Sequence, residues 1–253
     1  MDDHQLRIER ELAWHRQDAS LNKKHFLNRW PLYSHYREES AYAVAKDELF
    51  RRASRLVPAP RNVLVAPCGF CGDYKFIRNA WPTTKCVGVD ISPNAIAAVA
   101  DETDLYVADI LGPMPFPEQS FDMAVATLFF HHVADEGFSP YLNEYARLLK
   151  KGGVLIAMEQ SMFHPLFLIT RPLKRAFGNI TGEVEHEHPI SLRRLAIECE
   201  KAGFRKTITF ACSFAHQRVP VPVRAAMNAV CAPLRSAVMV KHLAWQVGLI
   251  AWK

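Results

Sequence analysis

Several residue groups in this chain have types and spacings that chemistry uses. Cys68-Gly69-Phe70-Cys71 is a C-x-x-C, the spacing of a redox dithiol or of half a zinc site. It lies in VLVAPCGFCGDYKF, an apolar run entering a glycine-containing turn, which is also how nucleotide-type cofactor loops begin. Asp90 follows Gly69 by 21 residues and closes KCVGVD. A carboxylate at that place can accept hydrogen bonds from both hydroxyls of a ribose; its other use, capping the next helix, is already served by Ser92. Asp109 closes DLYVAD. It can accept from the exocyclic amine of a purine, or form a turn before ILGPMPFP. His131, His132, Glu159 and His164 follow two further apolar runs. An imidazole, titrating near pH 6.5, suits proton abstraction close to neutrality. EVEHEHP brings three acids and two histidines, His186 and His188, into residues 183–188. Such a set can ligate a divalent metal, but charge runs are ordinarily solvated, and no metal is assigned.

These residues need elements to position them. NVLVA, KCVGVD, DLYVAD, SFDMAVATLF and VLIAMEQ read as five strands. The all-apolar runs fit parallel strands covered on both faces. SPNAIAAVA is a helix capped by Ser92 with Pro93 in its first turn. SPYLNEYARLLKKGG reads as a helix capped by Ser139 and ended by Gly152-Gly153. SLRRLAIECEKAGF is a helix capped by Ser191 with Leu192, Leu195, Ala196 and Cys199 on one face, and KTITFACSF is a sixth strand. Residues 220–241 read as one amphipathic helix, and LAWQVGLIAWK as the last strand. Residues 1–56 read as helical. The alternation predicts an α/β, Rossmann-like doubly wound sheet whose ligands bind at the carboxyl ends of the strands. The segments after strands therefore matter most: 66–73, 90–91, 108–110, 127–132 and 159–164.

The bulk composition narrows the classes. With 253 residues, 49% of them hydrophobic and 23% charged, the chain can build a full core, so disorder is excluded. A net charge of +5 without a long Lys/Arg run does not argue for nucleic acid. MDDHQLRIERELAWHRQ lacks the apolar centre of a signal peptide. No apolar stretch is long enough for stable membrane insertion. One close cysteine pair in a chain of this size predicts a reducing cytoplasm.

The ordered set VLVAPCGFCGD, CVGVDIS, LYVADI, PFPEQSFDMAVATLFFHHV and LLKKGGVLIAMEQ resembles the class I S-adenosylmethionine-dependent methyltransferases of the type-11 small-molecule kind. The resemblance covers residues 60–160, and EHPISLRRLAIECEKAGF matches the usual helix before strand six. It implies a seven-stranded sheet with the last strand antiparallel and S-adenosylmethionine as cofactor, released as S-adenosylhomocysteine. The cofactor loop falls on Ala66–Asp73 (Ala66, Pro67, Cys68, Gly69, Cys71, Asp73), the ribose acid on Asp90 and the adenine-side acid on Asp109, with Ile91 and Ile110 on either side of the adenine. The backbone around Thr127 and Phe129 lines the site, and Tyr33 and Tyr36 lie where family members fold an N-terminal helix over the cofactor. The usual loop reads Asp-x-Gly-x-Gly-x-Gly. Here Val65 replaces the acid, Pro67 the first glycine and Cys71 the third, while Gly69 survives and Gly72 comes one position late. Asp73 is the candidate to replace the missing acid at the methionine end. The domain expected is 1–253 as one unit: a helical cap at 1–56, the cofactor core at 60–160, a helical lid and acceptor insertion at 161–190, and the rest of the sheet at 191–253.

Methyl transfer is an in-line displacement, so the chain's work is alignment, with a base where the acceptor is a hydroxyl, amine or acidic carbon. His131 and His132 are the candidate bases and are not separable by sequence. Phe129, Phe163, His164 and His188 are candidate contacts to a small, partly apolar acceptor. Met162, Leu166, Phe167 and Leu168 add apolar surface there, with Arg171, Lys174 and Arg175 beside it. Oligomeric state is open, a homodimer included. Rival readings are a non-catalytic cofactor-binding partner, another reaction on the same fold, and an NAD enzyme; the last lacks its G-x-G-x-x-G. The C-x-x-C has neither a second ligand pair nor a thioredoxin-like context, so it reads as a variant cofactor loop.

Overall fold

The computed structural model describes residues 38–99, 102, 104–167, 188–216, 219 and 221–253, together with Gln5, Ile8, Glu9 and Leu12. Tyr33, Tyr36, His186 and most of the expected lid fall outside these residues.

Helix α1 (Glu38–Leu56) leads into β1 (Asn62–Val65), α2 (Tyr74–Ala80), β2 (Lys85–Asp90), α3 (Pro93–Ala97), β3 (Leu105–Val107) and β4 (Phe121–Thr127). Then follow α4 (Ser139–Leu148), β5 (Leu149–Gln160), α5 (Leu192–Lys201), β6 (Lys206–Ser213), α6 (Val221–Val230) and β7 (Gln246–Trp252). The seven strands form one sheet in the order β3-β2-β1-β4-β5-β7-β6. The chain reverses direction in the sheet between β1 and β4, which creates the crevice where doubly wound folds bind ligands. Only β7 runs antiparallel, pairing with both β5 and β6.

Continuous apolar strands arise because alternate residues feed two cores. Leu64, Ala124, Ala126, Leu155 and Ala157 face α4 and α5. Val63, Val65, Met123, Val125 and Ile156 face α1 and α2. Ser92 and Ser191 cap their helices, accepting from Ala95 N and Arg194 N.

Three expected boundaries differ. Phe138, not Ser139, precedes the first helical residue of α4: its ring is buried and its carbonyl accepts from Leu142 N. The same helix ends at Leu148 rather than at Gly152-Gly153. Leu149 pairs with Phe121, and the register then shifts to Met123 with Val154, so Lys-Lys-Gly-Gly is an irregularity within β5. Pairing to β4 overrides the helical pattern there. The helix expected over 220–241 stops at Val230, and two short 3-10 turns follow at Ala232–Leu234 and Val240–Leu243. Pro233 has no N–H to continue a helix.

Two carboxylates anchor this framework. Asp122 accepts from Arg61 N, Asn62 N and Lys150 Nζ. Glu48 accepts from Arg51 and Arg52. Burial raises both groups, but these hydrogen bonds and nearby cations outweigh it and hold both below their ordinary values of 3.8 and 4.5. Depressed acids add stability that is fully present above their ordinary values and is lost as pH falls through the folded ones. The thermal midpoint is therefore expected to fall below about pH 4.5, and Glu48→Gln to flatten that fall; an unchanged acid slope in the variant contradicts the assignment.

Candidate active site

The loop after β1 is built by backbone contacts to its neighbours. Ala66 N donates to Val125 O at 3.1 Å, and Cys68 N to Val89 O at 2.8 Å. The Tyr145 hydroxyl donates to Ala66 O, fixing the loop to α4. Gly69 has φ +50° with open space where a Cβ would stand, and Cys71 has φ +55°. A left-handed residue suits glycine, so this chain turns at the expected place with a side chain present. The Cys71 side chain hydrogen-bonds Cys68, which with burial drives the Cys68 thiol well up. That keeps Cys68 protonated and unreactive. All six cysteines are free. Among the described residues, no group of three or more His, Cys, Asp or Glu is placed to hold a metal ion.

Replacing Cys71 by glycine removes a left-handed side chain, worth about 1–2 kcal/mol, at the cost of some buried packing. Cofactor affinity is expected to be preserved or improved. Titration calorimetry checks this, and a loss beyond about tenfold would mean that the thiol itself matters.

Asp90 clamps this loop. It is buried; Oδ2 accepts from Gly69 N at 2.7 Å and Oδ1 from Ser92 N at 2.9 Å. A carboxylate accepts about four hydrogen bonds, so it can serve the loop and a ribose diol together. Asp109 accepts from Leu111 N at 3.1 Å and from Gly112 N through its carbonyl, which is the turn its residue type allows. Ile110 packs into the core, and Ile91 is half-buried at the end of β2.

Asp73 and Thr127 meet across the crevice: the Thr127 hydroxyl donates to Asp73 Oδ2 at 2.6 Å. Lys46 Nζ lies 2.9 Å from Asp73 Oδ1. No local signal marks Lys46, since α1 reads as an ordinary amphipathic helix; only its packing on α2 brings the ammonium here.

Beyond β4, Glu159 organises a second group. It is 1% exposed. Its Oε1 accepts from Phe129 N at 2.7 Å and Phe130 N at 2.6 Å, and its Oε2 lies 2.8 Å from His131 Nδ1. So engaged, Glu159 is an orienting acceptor rather than the base its position suggested. A carboxylate facing Nδ1 requires the hydrogen there, leaving the Nε2 lone pair of a neutral ring available. The His132 ring lies against His131, centroids 4.1 Å apart and tilted by 35°, and His188 N donates to His131 O at 3.2 Å.

Phe163 and His164 belong to a separate cluster at the carboxyl end of β5. His164 packs edge-on to Trp245, and its Nδ1 accepts from Leu166 N. Burial lowers its pKa, so it is neutral at neutral pH. The Trp245 indole N–H and both amide atoms of Gln246 are buried without a hydrogen-bond partner. Buried polar groups are rarely left so, which marks this edge as a place for a polar ligand or water. Both residues lie in LAWQVG, which reads only as strand.

The strand order, the reversed last strand and an acid after β2 clamping the loop after β1 define a class I S-adenosylmethionine-dependent methyltransferase fold. Residues 67–157 match a family model described as a methyltransferase domain. A curated protein of Anoxybacillus flavithermus, named an uncharacterized methyltransferase, is 24% identical over 98 residues, 38% of this chain and 46% of that protein. The chain thus spans about half the length of the curated relative it matches. Among solved structures, a methyltransferase of Thermotoga maritima described as a possible histamine N-methyltransferase has a TM-score of 0.64 at 18% identity, covering 95% of this chain and 99% of that one. A SAM-dependent methyltransferase of Archaeoglobus fulgidus has a TM-score of 0.58 at 16% identity, covering 85% and 98%.

Proposed function

We propose that this protein transfers a methyl group from S-adenosylmethionine to a small, partly apolar metabolite, with His131 as general base. When bound, the cofactor supplies an electrophilic methyl on a sulfonium. Asp90 accepts from the ribose hydroxyls and Asp109 meets the adenine side. Asp73 and Lys46 offer a carboxylate and an ammonium to the charged methionine end, matching its opposite charges. His131 takes the acceptor's proton at Nε2 as the nucleophile is held in line with the methyl group. Trp245 and Gln246 supply the polar contacts of the acceptor pocket beside Phe163 and His164. Tyr33 and Tyr36 and the segment 161–190 are assigned to covering the site, within one domain over 1–253. Free cysteines throughout accord with a cytoplasmic setting.

The observation that carries this reading is the buried Glu159–His131 pair, which holds one imidazole in a single tautomer at the carboxyl edge. Incubation with methyl-labelled cofactor and a panel of amine, phenol and carbon-acid acceptors tests it. Label moving to an acceptor supports the reading. Cofactor binding by calorimetry with no label moved to any acceptor favours a non-catalytic partner, or another reaction on this fold. No binding at millimolar cofactor defeats the assignment altogether.

A further inference from the structure

Cofactor binding does not explain the two thiols of the loop after β1. Cys71 stands at φ +55°, in the left-handed region where a side chain strains the backbone and glycine does not. Strain kept at such a place points to a use for the side chain. Cys68 and Cys71 are 5% and 7% exposed and pack into the core between the sheet, α1 and α2.

The turn brings the two sulfurs together. Cys71 N donates to Cys68 O at 2.8 Å and Tyr74 N to Cys71 O at 3.0 Å, so 68–71 and 71–74 are consecutive turns. A turn holds its first and fourth Cα atoms within about 7 Å, and a disulfide spans about 4.4–6.8 Å. Cys68 Sγ lies 3.7 Å from Gly69 O, back over the turn, and the Cys71 side chain hydrogen-bonds it. The Tyr74 hydroxyl is beside them: a Cβ on Gly88 would stand 2.6 Å from its oxygen and 3.0 Å from Cys68 Sγ.

The two sulfurs are unequal. The hydrogen bond from Cys68 lowers Cys71 below the ordinary thiol value of 9.0, which makes Cys71 the member that forms a thiolate. Cys68 is raised, first by that same hydrogen bond and then by burial. Cys86, on β2 in the same core, is pushed up to about 11 by burial. Cys71 sits between the exposed Phe70 and Gly72, within reach of a molecule as small as hydrogen peroxide.

We propose that Cys68 and Cys71 are a site of reversible oxidation, at which hydrogen peroxide forms a disulfide that switches cofactor binding off. The Cys71 thiolate attacks one peroxide oxygen, the O–O bond breaks, and the departing hydroxide takes up a proton and leaves as water. Cys71 is then a sulfenic acid. That group is uncharged, so the Cys71 charge that held Cys68 up is gone. The Cys68 sulfur attacks the Cys71 sulfur, the S–O bond breaks, and the Cys68 proton leaves with the hydroxide as a second water. Two thiols lose two electrons and two protons, and one peroxide becomes two waters. Bonded sulfurs stand about 2.05 Å apart, inside any hydrogen-bonded contact, so the bond draws Cys71 onto Cys68. The turn between them shifts with it, and Asp90 Oδ2 holds that turn through Gly69 N at 2.7 Å. Oxidation thus disturbs the loop and the carboxylate proposed for the ribose together.

The inference rests on this loop holding the cofactor. The full chain is treated with hydrogen peroxide, alkylated with iodoacetamide and digested with trypsin. Residues 62–75 form one tryptic peptide that contains Cys68 and Cys71 and excludes Cys86. That peptide is expected to lose two hydrogens and to resist alkylation, and dithiothreitol to restore both. Calorimetry with S-adenosylmethionine should find the oxidised chain at least tenfold weaker, with recovery on reduction. Cys71→Gly, whatever its own affinity, should bind equally before and after peroxide, and Cys68→Ala gives the same test if Cys71→Gly folds poorly. Cys86→Ala, outside the loop, should keep the response. An unlinked 62–75 peptide after peroxide overturns the proposal. So does a link to Cys86, or a linked peptide with unchanged affinity. A reduced chain that binds no cofactor defeats the cofactor reading itself; a failed switch differs, because the reduced chain then binds and peroxide changes nothing.

Discussion

Glu159→Gln is expected to lower kcat by about 100-fold or more, the usual span of a positioned general base, with cofactor affinity unchanged. The glutamine carbonyl can still accept from Phe129 N and Phe130 N, so the turn after β4 keeps both of its buried acceptor contacts. The amide nitrogen then faces His131 Nδ1 where an acceptor stood. His131 must turn its lone pair toward that nitrogen and carry its hydrogen on Nε2, the atom that would take the acceptor's proton. The substitution changes a tautomer and leaves the shape intact, and nitrogen-15 shifts of the ring would report this apart from any assay. Because the two residues act as a unit, the double variant with His131→Ala should lose no more than His131→Ala alone. Full activity in Glu159→Gln together with a collapse in His132→Ala would move the base to the neighbouring ring. Glu159→Ala is a poorer experiment, since it leaves two buried amides without an acceptor and so perturbs the turn itself.

Asp90→Ala is expected to weaken cofactor binding at least tenfold, which is about 1.4 kcal/mol. It removes the proposed ribose acceptor and also frees Gly69 N and Ser92 N, so the loop loosens as well. Ser92→Ala is the control for lost stability next to an intact Asp90, whose contacts to Gly69 N and Ser92 N it leaves in place. That variant removes the hydroxyl that accepts from Ala95 N and costs about 1 kcal/mol of stability, with affinity held within about twofold if binding resides in the carboxylate. Calorimetry and thermal melting on both variants decide the matter. An Asp90→Ala protein that melts earlier but binds the cofactor as before would make Asp90 a structural clamp only.

Much of the architecture was legible because its signals are local. KCVGVD is β2 to the residue, and Ser92 and Ser191 cap helices where their spacing predicts. Short apolar runs alternating with capped helices define a doubly wound sheet, and the place of Asp90 follows from that topology. The misread boundaries were those where a partner strand or a proline outweighed periodicity: Lys-Lys-Gly-Gly was drawn into β5 by β4, and Pro233 broke the helix expected to run to residue 241.

The site was legible only in part. His131 and His132 are equivalent as letters, and the difference between them is a carboxylate 28 residues away on the next strand. Lys46 reaches Asp73 only because α1 packs on α2, and Gln246 matters only because β7 runs antiparallel and begins at the carboxyl edge. The sequence by itself determined the strand–helix order, the position of the turn after β1 and the acid after β2, because caps, turns and apolar periods act over a few residues. Tertiary structure alone decided which histidine is oriented and what Asp73 is paired with, because hydrogen bonds between buried side chains depend on how distant segments pack.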